Sequence, residues 1–108
     1  MSINFSLVLP CYNEEENIPL LYKEFSEIPL NEYRAELILV NNGSTDGTQK
    51  EIETVIKNNK KNNIDVIILN LEKNQGYGGG IAEGLKIAKG DYIGWAHADL
   101  QTPLIDFF

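Results

Sequence analysis

The sequence predicts an α/β protein, a mostly parallel sheet of about four strands with helices on both faces, formed by residues 1–108 as a single domain. Three observations predict it. Four short apolar runs, Phe5 to Leu9, Leu37 to Val40, Val66 to Leu69 and Tyr92 to Ala96, are each bounded by turn or polar residues, as the strands of a buried sheet are. Segments with apolar residues at helical spacing fill the gaps between them. The starts of the runs lie roughly thirty residues apart, the length of a βαβ unit.

The elements follow in order. After the first strand, Ile18, Leu21, Phe25 and Ile28 recur at helical spacing, with Asn17 as the expected N-cap, Pro19 in the first turn and Pro29 as the stop. After the second, Ile52, Val55 and Ile56 line one face of a helix that decays into the polar stretch 57–63. After the third, Ile81, Leu85 and Ala88 line another, with Gly90 as its expected C-terminal stop. Short strands alternating with helices give parallel pairing, because each crossover returns the chain to the same edge of the sheet. Every strand-to-helix loop then emerges at the carboxyl edge, where open α/β sheets bind ligands. Those loops, 10–17, 41–47, 70–79 and 97–103, hold most of the unusual residues.

Composition narrows the classes of partner. Nine basic against sixteen acidic side chains leave a net charge of −7. Nucleic acid is excluded as the main partner, since it requires a basic face. A small diphosphate remains compatible, because backbone N–H groups and a metal ion hold it without a basic stripe. Cys11 is the only cysteine, so no intrachain disulfide forms. The N-terminus shows no signal peptide, and no apolar run approaches the ~18–20 residues of a membrane span. The expected location is cytoplasmic.

In the first loop, Pro10 ends the strand, Tyr12 is placed to lie against a base or sugar, and Glu14 is placed to accept ribose hydroxyl protons. The alternative is a helix lead-in whose acidic run, Glu14 to Glu16, favours the positive helix end. The second loop, Asn41 to Thr48, reads equally as a capped turn or as a base pocket. In the third, Gly76, Gly78, Gly79 and Gly80 allow close backbone approach to a ligand or to the sheet. A dinucleotide fingerprint fails there, since the sixth position is Ile81 counted from Gly76 and Glu83 counted from Gly78. A Walker A motif fails too, because Leu85 follows Gly84. In the fourth, His97 and Asp99 are two apart at a strand end, which puts both on one side. A carboxylate there suits Mg²⁺, and a nitrogen ligand shifts the preference toward Mn²⁺. The alternative for His97 is a hydrogen-bonded loop histidine.

Taken together, Leu7 to Glu15, Leu39 to Thr48, Asn74-Gln75-Gly76, Gly84, and Gly90 to Ile93 through His97-Ala98-Asp99-Leu100-Gln101 resemble the inverting family-2 glycosyltransferases of Rossmann-like GT-A fold. Within that family they are most similar to the polyprenyl-phosphate sugar synthases. The resemblance implies an enzyme that binds a nucleoside-diphosphate sugar and Mg²⁺ or Mn²⁺ and transfers the sugar, with inversion, to a polyprenyl phosphate or saccharide. It implies nucleotide contacts from Pro10, Tyr12, Glu14, Asn42, Gly76 and Ala98. It also implies a metal contact from Asp99, the last acid of a D-x-D motif, with His97 at the position of the first. The family usually carries aspartates at the positions of Asn41, Asn42 and His97. An Asn amide both donates and accepts, which matches the alternating edge of uracil better than the donor pair of guanine. UDP is therefore expected over GDP.

The resemblance places the general base and the acceptor site beyond Phe108. The chain is expected to be the N-terminal part of a longer catalytic domain, truncated after the D-x-D region, with Leu104 to Phe108 starting a helix. It is expected to be inactive in transfer on its own and to self-associate as a homodimer through its exposed sheet edge. The missing region is expected to carry any attachment to the cytoplasmic face of a membrane. Two rivals remain: a nucleotidyltransferase, which needs a glycine-rich basic loop where Cys11 to Glu15 stands, and a non-catalytic nucleotide-binding or interaction module.

Overall fold

A computed structural model describes residues 2–99. The elements run β1 (Phe5–Cys11), α1 (Ile18–Ser26), β2 (Ala35–Asn42), α2 (Thr48–Asn58), β3 (Ile64–Leu71), α3 (Gly76–Ile87) and β4 (Tyr92–Trp95). The strands form one sheet in the order β3-β2-β1-β4, and every neighbouring pair is parallel. The central strands β1 and β2 read as almost continuous apolar runs because both of their faces are covered.

Alternation along the strands splits the core in two. Leu7, Leu9, Leu37 and Leu39 face α1 and α2, where Ile18, Leu21, Phe25 and Ile52 are fully buried. Removing side chains of this size from water stabilises the fold by about 1.5–3 kcal/mol each. Val8, Ile38 and Val40 face the other way, packed with Ile67, Leu69, Ile87 and Ala88. On that side α3 lies close against β1 and β2, because its inner face is made of glycine. A Cβ built on Gly84 would stand 2.4 Å from Val8 Cγ1 and 3.0 Å from Val40 Cγ2.

Several local expectations are corrected. Pro10 does not end β1; it lies inside the strand, buried and in register with Val40. It is tolerated because Ala96 N–H donates to the Val8 carbonyl, so this side of β1 addresses β4. Two residues on, the β4 ladder has already ended, and the missing Pro N–H breaks no sheet bond. Asn41 and Asn42 likewise belong to β2, and Gly76 to Gly80 to α3, so the connection after β3 shortens to residues 72–75.

Asn17 occupies the N-cap position of α1, but its side chain makes no capping bond. Its amide donates instead to Glu14 Oε2 at 2.7 Å. Helix α1 ends at Ser26, so Ile28 is buried from the following turn. Ile56 and Leu85 are exposed at 36% and 40%, where a buried stripe was expected. In α3 the space that Leu85 was expected to fill is taken by the approach of Gly80 and Gly84. Gly90 is not the stop of α3, which ends at Ile87; it packs on β1, its N–H donating to Ser6 Oγ at 2.7 Å. Leu100 to Pro103 of the expected fourth loop, and the expected helix from Leu104, lie outside the described residues.

Candidate functional site

The strand order fixes where a site belongs. From β1 the chain moves to β2 and β3 on one side and later returns to β4 on the other. The strand order thus reverses between β1 and β4, and open α/β sheets bind ligands at the carboxyl edge beside such a switch point. Pro10 and Cys11, the last two residues of β1, and Tyr12 just after it lie there, and Ala96 to Asp99 follow β4.

The β1 and β2 turns are joined by side chains. Asn13, held at φ 53°, receives the N–H of Thr45 on Oδ1 at 2.8 Å and gives its own N–H to Ser44 Oγ at 3.1 Å. Glu14 N–H donates to Thr48 Oγ1 at 2.9 Å, and Glu15 N–H to Asp46 Oδ2 at 3.4 Å. Asp46 also accepts from Thr48 N–H at 2.9 Å, in place of an N-cap side chain for α2. Desolvation pushes the Asp46 carboxyl upward, but the bonds from the Thr48 hydroxyl, Thr48 N–H and Glu15 N–H outweigh it and hold the group below the usual carboxylate range.

The β2 and β3 turns meet through backbone and amides. Gly43 has φ +70°, and a Cβ on it would stand 2.4 Å from the Asn74 nitrogen, so only glycine lets these turns touch. Asn41 Nδ2 donates to Asn70 Oδ1 at 3.0 Å. Asn42, 3% exposed, donates from Nδ2 to the Gly76 carbonyl and accepts the Gln75 N–H on Oδ1, both at 2.9 Å. Sequence reading placed Asn42 toward a base; its amide is turned to the start of α3, leaving one N–H and one lone pair uncommitted.

The β4 turn joins the others through Tyr77. Its ring lies flat on His97, with centroids 4.7 Å apart and planes 10° from parallel, and its hydroxyl is 3.1 Å from His97 Nε2. Trp95 meets the same Tyr77 ring edge-on at 5.8 Å. Beyond β4, Ala96 and Ala98 are buried and His97 and Asp99 are exposed. The Asp99 charge reaches Tyr77: burial first, and then this carboxylate, raise the phenol above its ordinary value.

A cleft of about 130 Å³ is lined by Pro10, Cys11, Tyr12, Asn42, Asn74 and Tyr77, and Tyr77 links it to His97 after β4. Tyr12, 47% exposed, stands at its mouth. Pro10, Tyr12 and Asn42 of the expected nucleotide set thus line one cleft; Gly76 joins it through Asn42, and Ala98 is buried in the core cluster. Glu14 instead lines a neighbouring acidic hollow with Asn13, Glu15, Glu16, Asn17 and Asp46. Cys11 is no nucleophile. Burial, with the Glu14 charge adding to it, pushes the thiol far up, and Sγ donates to the Leu9 carbonyl at 3.3 Å. Tyr77 is the functional candidate that sequence reading missed. An aromatic side chain among four glycines, at a helix start facing the switch point, was the available signal.

Among the described residues, no three His, Cys, Asp or Glu side chains gather as a metal site. Asp99 offers an exposed carboxylate, while His97 is stacked on Tyr77 with Nε2 3.1 Å from its hydroxyl. This donor set fits an ion that takes most of its oxygens from a bound diphosphate, as Mg²⁺ does in many phosphate sites.

A parallel sheet ordered 3-2-1-4 with a cleft at its carboxyl edge defines a Rossmann-like unit. The glycosyl transferase family 2 model matches residues 6–104, and the chain belongs to that family. It is 40% identical over 99 residues to the undecaprenyl-phosphate 4-deoxy-4-formamido-L-arabinose transferase of Proteus mirabilis (strain HI4320), covering 91% of this chain and 29% of that protein. It is 36% identical over 105 residues to the prophage bactoprenol glucosyl transferase homolog of Escherichia coli (strain K12), covering 94% of this chain and 32% of the relative. Among solved structures, S. aureus TarS 1-349 in complex with UDP-GlcNAc superposes with a TM-score of 0.76 at 26% identity, over 90% of this chain and 27% of that one. The GT-A fold is thus the one the resemblance implied. The chain spans about 30% of the length of the curated relatives it matches. Among the described residues, no helix is long and apolar enough to cross a membrane.

Proposed function

We propose that this chain forms the donor-nucleotide half of an inverting glycosyltransferase that takes a UDP-sugar and delivers the sugar to a polyprenyl phosphate at the cytoplasmic face of a membrane. The observation that carries it is one cleft at the carboxyl edge, lined by residues from the ends of β1 and β2 and from the turn after β3, whose Tyr77 stacks on His97 after β4 and feels the Asp99 charge. The lipid-phosphate acceptor is supported by the names of two relatives, and the UDP-sugar by the TarS complex. The acidic, glycine-free turn after β1 speaks against a nucleotidyltransferase.

The residues divide the work by position. Tyr12 presents an exposed aromatic face to the base or ribose at the mouth of the cleft. Pro10 and Asn42 form its floor, held by α3 above them. Asp99 holds the diphosphate end through Mg²⁺ or Mn²⁺. When bound, such an ion acts as a Lewis acid on the leaving diphosphate, whose charge grows as the acceptor displaces it.

Calorimetry of this chain with UDP and GDP, with and without Mn²⁺, tests the reading. UDP should bind more tightly than GDP, Mn²⁺ should tighten UDP, and Asp99→Asn should remove the Mn²⁺ effect while leaving metal-free UDP binding in place. Tighter GDP binding, or a Mn²⁺ effect that survives Asp99→Asn, would contradict it.

A further inference from the structure

We propose that Asn42-Gly43 is a latent deamidation site, held shut by the docking of α3 on the end of β2 and opened when the start of α3 is released.

The fold demands a labile pair at this point. Asn42 is the only asparagine followed by glycine. Such a pair loses ammonia most readily, because glycine has no Cβ to shield its nitrogen or to restrict the backbone around it. Each member is nonetheless fixed by packing. Asn42 holds α3 through both atoms of its amide, giving Nδ2–H to the Gly76 carbonyl and taking the Gln75 N–H on Oδ1. Gly43 stands at φ +70°, where a Cβ would meet the Asn74 nitrogen at 2.4 Å. The contact between the β2 and β3 turns therefore keeps the glycine, and the anchoring of α3 keeps the asparagine before it.

In the reaction, the Gly43 nitrogen gives up its proton and attacks Asn42 Cγ. The Cγ–Nδ2 bond breaks, and ammonia leaves with that proton. Water then opens the cyclic imide at either carbonyl, leaving aspartate or isoaspartate. Three features oppose this in the folded chain. Gly43 N–H donates to the Asn41 carbonyl at 3.1 Å, which retains the proton that must leave. The two bonds to α3 fix the Asn42 amide, so Cγ turns onto the Gly43 nitrogen only after they break. Asn42 is 3% exposed, with α3 so close that a Cβ on Gly80 would stand 2.9 Å from Nδ2. Release of the start of α3 removes the last two together. The return is then blocked. Aspartate sets an oxygen against the Gly76 carbonyl oxygen, and isoaspartate also lengthens the backbone by one carbon before Gly43. Each opening thus exposes the pair to a one-way step that leaves α3 without its anchor.

The chain is incubated at mildly alkaline pH, folded in buffer and unfolded in guanidinium chloride, and conversion at each asparagine is followed by peptide-mapping mass spectrometry. Amide hydrogen exchange of the folded chain is measured by NMR under the same buffer conditions. In guanidinium, Asn42 should convert before any other asparagine. In the folded chain its conversion should be at least about 10-fold slower, the ratio expected when a modest free energy opens the site. That slowing should match the protection of the Gln75 N–H, because one opening exposes both, and should fall short of the protection of the Leu39 N–H at the centre of β2. Gly84→Ala, which presses α3 away from Val8 and Val40, should speed Asn42 conversion and Gln75 exchange together by about 5- to 100-fold. Three results overturn the proposal: another asparagine leading in guanidinium, equal conversion of Asn42 in both states, or slowing that follows Leu39 instead of Gln75. Gly84→Ala that folds and speeds Gln75 exchange without speeding conversion overturns it as well. If that variant does not fold, the comparison of Asn42, Gln75 and Leu39 in the parent chain decides alone.

Discussion

The Asn42 side chain fastens the end of β2 to the first residue of α3, donating to the Gly76 carbonyl at 2.9 Å while its oxygen receives the neighbouring Gln75 N–H at the same distance. No other side chain of this size does both jobs. An aspartate can accept from Gln75 but meets the Gly76 carbonyl oxygen with a second oxygen. Asn42→Asp should therefore destabilise the chain by about 1–3 kcal/mol, the cost of leaving a buried polar group without its partner. Urea unfolding monitored by Trp95 fluorescence measures it. Because the same bond sets the start of α3, UDP affinity should fall as well. A variant as stable as the parent would show that the Asn42 amide serves the ligand and not the helix.

The glycines of α3 divide into those that touch the sheet and those that do not. A Cβ on Gly84 would press within 2.4 Å of Val8 Cγ1, whereas one on Gly78 meets nothing within 4 Å. Gly84→Ala should cost about 1–3 kcal/mol through overpacking. Gly78→Ala should be neutral, or stabilising by up to about 1 kcal/mol, because alanine favours a helix. Thermal melts of the two variants side by side decide it, and equal shifts would mean that α3 stands further from the sheet.

Asp46 gives a pH dependence whose sign follows from its bonds. Its folded pKa lies below its unfolded value, so the carboxylate contributes stability above the unfolded pKa. That contribution is lost as pH falls through the folded pKa. Asp46→Ala should thus be less stable than the parent near neutrality, and the difference should shrink steadily through the acid range below the ordinary carboxylate pKa. Urea midpoints of both chains measured from neutral to acid pH provide the check. A difference that stays constant with pH would mean that the Asp46 charge plays no part in joining the β1 and β2 turns.

Much of this was legible in the sequence because it rests on short-range rules. Apolar runs near thirty residues apart gave all four strands, and the residues with unusual chemistry fell in or beside the turns at one edge of the sheet. What escaped depends on how closely elements approach. Leu85 has the right spacing for a buried helix face, yet it is exposed because Gly80 and Gly84 bring α3 down onto Val8 and Val40. Pro10 reads as a strand end by local preference, and only the early end of β4 shows why a proline fits inside β1. Asn17 has the composition of a cap, but Glu14 competes for its amide. Tyr77 and His97 are twenty residues apart, and no local pattern joins them.

The opposite edge of the sheet separates stability from binding. Glu36, 1% exposed near the start of β2, accepts the Ser6 hydroxyl and the Lys89 N–H, both at 2.6 Å on Oε2. Ser6 in turn accepts the Gly90 N–H at 2.7 Å, so one buried carboxylate pins the connection from α3 to β4 against both central strands. Glu36→Leu keeps the bulk and removes the acceptor, leaving Lys89 N–H with no partner from this side chain. The loss should be at least about 1–3 kcal/mol, because a buried donor left unmade costs its full desolvation. Glu36→Gln retains an oxygen for both donors and should lose less, since a bond to a carboxylate is roughly twice as strong as a neutral one. Neither change alters a group at the carboxyl edge. UDP affinity, measured where each variant remains folded, should match the parent. A Glu36→Gln chain that folds normally but binds UDP more weakly would mean that the α3–β4 connection transmits its position to His97 and Asp99.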